Sequence, residues 1–142
     1  QSRSSAASDV YKRQLPLSPA LVFAVVIFLF IRTYRGSKNI QPAEDGLTPL
    51  FQEQAGGRFD IYNLTIPFVR HAIYDDFVVI STRNRYYKLN FDQIIKFEVK
   101  RHLFSIGVTY HHNISDIPKT LIVWTTNSSW VSSLLVSKGV ST

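Results

Sequence analysis

Few residues in this 142-residue chain are of types that carry out chemistry, and their spacing narrows the possibilities further. The four histidines are His71, His102, His111 and His112. The last two are neighbours in a strand-like stretch, so their rings should point to opposite faces and cannot chelate one ion. His71 and His102 stand far apart from them, with no ligand spacing to join the four into a metal site. Asp75 and Asp76 are consecutive carboxylates at a turn signal, where side chains diverge into solvent and do not aim at one bond. Cysteine is absent, which removes disulfides, thiolate ligands and a thiol nucleophile. No Ser/His/Asp constellation, Gly-rich phosphate loop or His-Glu-x-x-His run occurs. The expectation is a chain with no catalytic residues, no cofactor and no metal.

The basic residues remain. Lys and Arg number 16 against 10 Asp and Glu, a formal charge of +6. From Arg58 onward the count is ten against six, or +4. Arg83, Arg85 and Lys88 lie near one turn, and Lys96, Lys100 and Arg101 on a neighbouring solvent face. Close to a bilayer such a group could meet anionic headgroups, worth about 1 kcal/mol per basic residue. These six are the candidate site for an anionic lipid or a protein partner; a plain solvated face has the same composition. Nucleic acid would use the same charges with Tyr86 and Tyr87 for stacking, but a membrane tether disfavours it, and none is expected.

The elements that position these residues fall into four stretches. Residues 1–14 are polar and without apolar period. The run Ser8-Asp9-Val10-Tyr11-Lys12-Arg13-Gln14 is similar to translated sequencing adapter, and no Met is present, so a trimmed or truncated chain is expected. Residues 15–34 contain an uncharged apolar run ending at Ile31, with Arg32 and Tyr34 at the edge, and predict a transmembrane helix. Pro16 and Pro19 stand where a missing N–H costs least. No small-residue cleavage site follows Ile31. Discounting the adapter-like bases leaves Arg32, Arg35 and Lys38 on one side, which by the positive-inside rule puts the rest of the chain in the cytoplasm. Residues 35–57, punctuated by Gly36, Pro42, Gly46, Pro49, Gly56 and Gly57, read as a flexible linker.

Residues 58–142 read as a β domain. Ile61-Tyr62 and Leu64-Thr65-Ile66 suggest a strand broken at Pro67. Phe77–Ser81 follows the Asp75-Asp76 turn, and Arg83-Asn84-Arg85 makes the next turn. Tyr87, Leu89 and Phe91 alternate, as do Ile95, Phe97 and Val99 against Lys96, Glu98 and Lys100. Ile106, Val108 and Tyr110 continue the pattern, and Leu121-Ile122-Val123-Trp124 is a short apolar strand. Thr126-Asn127-Ser128-Ser129 offers caps to a final helix with Trp130, Val131, Leu134 and Leu135 at helical spacing and Gly139 as its stop. Asn63, Asn113 and Asn127 begin glycosylation sequons, which a cytoplasmic location would leave unused; Asn127 is better explained as a cap.

Short antiparallel strands closed by one C-terminal helix resemble the bacterial pleckstrin-homology-like (PH-like) domains. The likeness is carried by Phe77–Ile80, by Tyr87-Lys88-Leu89-Asn90-Phe91-Asp92-Gln93-Ile94 with the strand after it, and by the helix from Trp130 to Gly139. An OB-fold or a lipocalin-like fragment explains the final helix less readily. The fold class implied is mainly β with one N-terminal transmembrane helix: a small PH-like barrel or sandwich capped by a C-terminal helix. The resemblance implies a non-catalytic binding or scaffold module in a bacterial inner membrane, for a protein segment or an anionic membrane surface. The alternative is the regulatory C-terminal domain of a larger multi-span transporter or enzyme truncated upstream.

Overall fold

The computed structural model describes residues 18–37, 40–102 and 105–142. The adapter-like run and residues 15–17 of the expected span lie outside them. The chain divides into two compact units, one ending at Arg32 and one beginning at Thr33.

Helix α1 runs Pro19–Ser37, a few residues beyond the expected end at Tyr34. It opens on Pro19, and the Ser18 hydroxyl accepts the Leu21 N–H at 3.2 Å. Its window Pro19–Gly36 has a mean hydropathy of 1.6 and none of it is buried. At 1.5 Å per residue the helix is about 28 Å long, close to the hydrocarbon thickness of a bilayer. Helices of this length and composition also occur as signal sequences, so the helix is consistent with membrane contact.

The second unit is a mainly-β half-barrel of seven antiparallel strands: β1 Phe51–Phe59, β2 Tyr62–Ile73, β3 Phe77–Ser81, β4 Tyr86–Asn90, β5 Ile94–His102, β6 Ser105–His112 and β7 Leu121–Thr125. Their order in the sheet is β4-β3-β2-β1-β7-β6-β5, followed in sequence by helix α2, Ser128–Ser137. With the helix packed across it, the shape is consistent with a PH-like sandwich. The core gathers Phe59, Val69, Ile80, Leu89, Phe97 and Tyr110 with Val131 and Leu135 of α2.

Several expectations are corrected. The stretch read as a linker contains a 3₁₀ turn, Pro42–Glu44, and strand β1, the central strand of the sheet. The glycines that suggested a linker are needed for a corner. β1 pairs with β2 over Phe51–Ala55 and with both β2 and β7 from Gly57, through an irregularity between Ala55 and Gly57. A Cβ on Gly56 would meet the Trp124 ring at 2.7 Å and the Leu64 carbonyl at 2.8 Å, so only glycine allows this approach. Pro67 does not end β2. It sits where the β1 pairing slips between Leu64 and Val69, so its missing N–H takes nothing from the ladder.

The β5 pattern also differs. A second irregularity between Ile94 and Lys96 turns Ile94 and Phe97 inward and leaves Ile95 62% exposed, with Val99 exposed as well. In α2 the buried positions are Val131 and Leu135, whereas Trp130 is 59% exposed. Asn127 occupies the N-cap position without a side-chain capping bond. Gly139 (φ 82°) ends the helix as expected. The Gly139 and Val140 N–H groups donate to the Val136 and Leu135 carbonyls, and Val140 joins Leu135 in the core.

Candidate functional site

The six basic residues occupy three settings. Arg83 and Arg85 flank the turn between β3 and β4. The Arg85 guanidinium lies 4.5 Å from the centre of the Tyr62 ring and donates to the Tyr87 hydroxyl at 3.3 Å. Tyr62, Leu64, Phe68, Arg83 and Arg85 line a hollow of about 280 Å³ beside this turn. Lys88 on β4 rests its ammonium 4.1 Å from the centre of the Phe77 ring. Lys96 and Lys100 on β5 both pair with Glu98, which lies between them on the strand. Those hydrogen bonds, to Lys100 first and Lys96 second, pull the Glu98 carboxyl down to about 2. Arg101 is exposed near the end of β5. β4 and β5 are opposite ends of the strand order, so the two groups are carried by different edge strands. Among the described residues no carboxylate pairs with Arg83, Arg85 or Lys88, while Lys96 and Lys100 of β5 share Glu98.

The outer edge of β5 has a second feature. The Phe97 N–H points away from β6 and donates to the Ser141 carbonyl at 2.9 Å. By strand parity the backbone groups of Val99 and Arg101 face the same way. Among the described residues no strand pairs with this edge. Phe97, Glu98, Val99, Lys100, Ser132 and Thr142 line an open groove of about 440 Å³ between β5 and α2.

Two buried polar clusters escaped the sequence reading. Their central residues, Arg70 and His71, are neighbours on β2 and so face opposite sides of the sheet. On the core side, His71 is fully buried, with Nδ1 3.2 Å from Glu53 Oε1 and Nε2 2.8 Å from the Tyr110 hydroxyl. Burial opposes the Glu53 charge, but hydrogen bonds led by His71, Thr125 and Asn127 hold its carboxyl below the usual range. A Tyr-His-Glu chain could in principle move protons. Here Tyr110 has no exposed surface, so no substrate reaches it, and burial pushes its hydroxyl far above the normal range.

On the outer side, Arg70 Nη2 lies 2.7 Å from Glu44 Oε1 and donates to the Tyr74 hydroxyl at 2.9 Å. Tyr74 in turn donates to Glu44 Oε1 at 2.7 Å, and Arg70 Nε donates to Gln52 Oε1 at 3.1 Å. Desolvation raises the Glu44 pKa, yet the bonds from Arg70, the Gln41 N–H and Tyr74 outweigh it and keep the carboxyl ionised. Of residues 40–50, Glu44 alone is buried. His102 is exposed, His111 Nε2 is 3.4 Å from Glu98 Oε1, and His112 lies beside the Pro118 carbonyl. Asp75 pairs with Lys138 at 2.9 Å.

No protein-family model and no curated protein matches the chain. Among solved structures, the C-terminal domain of an unknown protein from Leishmania infantum is similar in shape. The identity is 11%, over 80% of this chain and 97% of that one, with a TM-score of 0.49. The likeness carries no conclusion about activity. By its own architecture the chain is a helix-capped β-sandwich, a form compatible with a non-catalytic binding or scaffold module.

Proposed function

We propose that the chain is a membrane-anchored, non-catalytic binding module whose β domain takes up an extended protein segment along the outer edge of β5. The observation that carries this reading is the Phe97-to-Ser141 hydrogen bond, in which that edge already donates an N–H to backbone from another part of the same chain. The groove beside it has an apolar floor at Phe97 and Val99, with Lys100 on its rim. Lys96, Lys100 and Arg101 along the strand favour a segment mixing aliphatic and acidic residues. The apolar α1 would hold the module at a bilayer, with the β domain on the cytoplasmic side by the bias of Arg32, Arg35 and Lys38.

The test is a selection of random 12-residue peptides against the full chain in nanodiscs, repeated with Val99→Pro. Proline is tolerated on an edge strand but removes one outward N–H. The selected peptides should bind Val99→Pro at least tenfold more weakly; undiminished binding would sink the proposal.

A second reading concerns the β3–β4 turn, whose three cations lack a carboxylate partner among the described residues. It would meet an anionic membrane surface. Arg83 and Arg85 should then be protected from arginine-specific modification by nanodiscs of anionic lipid and not by neutral ones. Equal modification in both removes this reading and leaves the β5 proposal intact.

A further inference from the structure

The outer face of β2–β3–β4 holds more hydrogen-bond donors than its one carboxylate uses. Arg70 pairs directly with Ser81 across β2–β3, and Ser81 with Tyr86 across β3–β4, so the three stand in one cross-strand row. Each contributes a buried polar atom with no partner among the described residues: Arg70 Nη1, Ser81 Oγ and the Tyr86 hydroxyl. Arg70 is 1% exposed and Ser81 2%. Three unpaired polar atoms in adjacent positions are costly, since each forfeits its hydration without replacement.

We infer that this face is an oxyanion site for a phosphate group, closed in cis by Glu44. The Glu44 carboxylate takes Arg70 Nη2 and the Tyr74 hydroxyl and leaves the other three groups unused. A tetrahedral dianion in its place offers four oxygens to five donors: both Arg70 terminal nitrogens and the hydroxyls of Tyr74, Ser81 and Tyr86. Bidentate engagement by a guanidinium is a favoured geometry for phosphate. The cover is removable, because Glu44 is the one fully buried residue of 40–50; Gln41 and Pro49 are half-buried, Ile40, Leu47 and Leu50 are exposed, and the Leu50 N–H to Ile73 carbonyl bond ties only the far end to the sheet. Lifting it returns one carboxylate to water and frees Arg70 Nη2 and the Tyr74 hydroxyl. The proposal uses neither the β5 edge nor Arg83, Arg85 and Lys88, although Ser81 and Tyr86 bracket the turn that carries those cations.

The experiment is thermal unfolding of the full chain in micelles, titrated with sodium phosphate at constant ionic strength set by sodium chloride. Glu44→Gln removes the competing charge with little change of shape. Phosphate should raise the Glu44→Gln midpoint saturably, at a half-saturating concentration at least fivefold below that for wild type. Adding Tyr86→Phe should weaken this effect at least fivefold. O-phosphoserine in place of inorganic phosphate separates a tethered monoester from the free ion. A midpoint that rises equally in Glu44→Gln with and without Tyr86→Phe reflects general salt stabilisation and overturns the site. Should Glu44→Gln fail to fold, broadening of the phosphate phosphorus resonance by wild type, lost in Ser81→Ala, reads the same contact. Absence of broadening overturns it.

Discussion

Arg70 and His71 are consecutive in the chain and anchor two buried clusters that face opposite ways. Both clusters receive their carboxylate from the stretch that composition marks as a linker, Glu44 in one and Glu53 in the other. On the core side every ring nitrogen of His71 has a partner, and the chain Glu53–His71–Tyr110 ties β1 and β2 to β6. On the outer side a full ion pair coexists with three unpartnered groups among the described residues. The contrast teaches that burial alone does not distinguish a structural tie from a site. What separates them is whether the donors and acceptors balance.

The largest effect that tests the contrast should come from Arg70→Met, which strands the Glu44 carboxylate. A loss of about 3–5 kcal/mol is expected for a broken buried pair, measured by urea unfolding. Because residues 40–50 bury nothing else, Glu44 has the option of swinging into water. A loss under about 1 kcal/mol would therefore mean that the cover is already loose. The double variant Glu44→Met/Arg70→Met should recover most of the loss.

Next in size is His71→Phe on the core side, which leaves both Glu53 and Tyr110 without their partner, at about 2–3 kcal/mol. Tyr110→Phe should cost about 1 kcal/mol. A larger cost for Tyr110→Phe than for His71→Phe would show that the histidine is not the centre of the chain.

The smallest effect is the acid response. Both Glu44 and Glu53 are held below the ordinary carboxylate value of 4.5, so the unfolded chain takes up protons first as pH falls. The stability they contribute is complete above about pH 4.5 and drains away below it, towards their folded pKa values. Glu44→Gln and Glu53→Gln should each flatten that slope. A slope unchanged in either variant would remove that carboxylate from the account.

How far the fold was legible follows from the kinds of signal each element carries. β3, the turn after it and the glycine stop of α2 were readable because they depend on local alternation and on turn chemistry. β1 was not, because its ladder needs glycine where Trp124 and the Leu64 carbonyl press on the backbone, and Trp124 comes from a strand far along the chain. β5 misled because one irregularity at Ile94 reverses which apolar side chains face inward. The basic residues were visible as a composition, but nothing in their spacing separates Lys96 and Lys100, which share Glu98, from Arg83 and Arg85, which have no carboxylate partner among the described residues. The Arg70 and His71 clusters left no trace in sequence, since apart from Tyr74 their partners Glu44, Gln52, Glu53 and Tyr110 lie 18 to 39 residues away.

The single buried anchor of residues 40–50 also has a mechanical consequence. Tension entering the chain from the side of α1 reaches Glu44 before it reaches β1, the central strand. While the Glu44–Arg70 pair holds, the load is carried by the outer face of β2. Once it parts, only the stretch between Glu44 and Leu50, whose N–H already donates to the Ile73 carbonyl, can straighten before the β1–β2 ladder is strained. The pair thus acts as a fuse in series with the sheet, yielding first and sparing the fold.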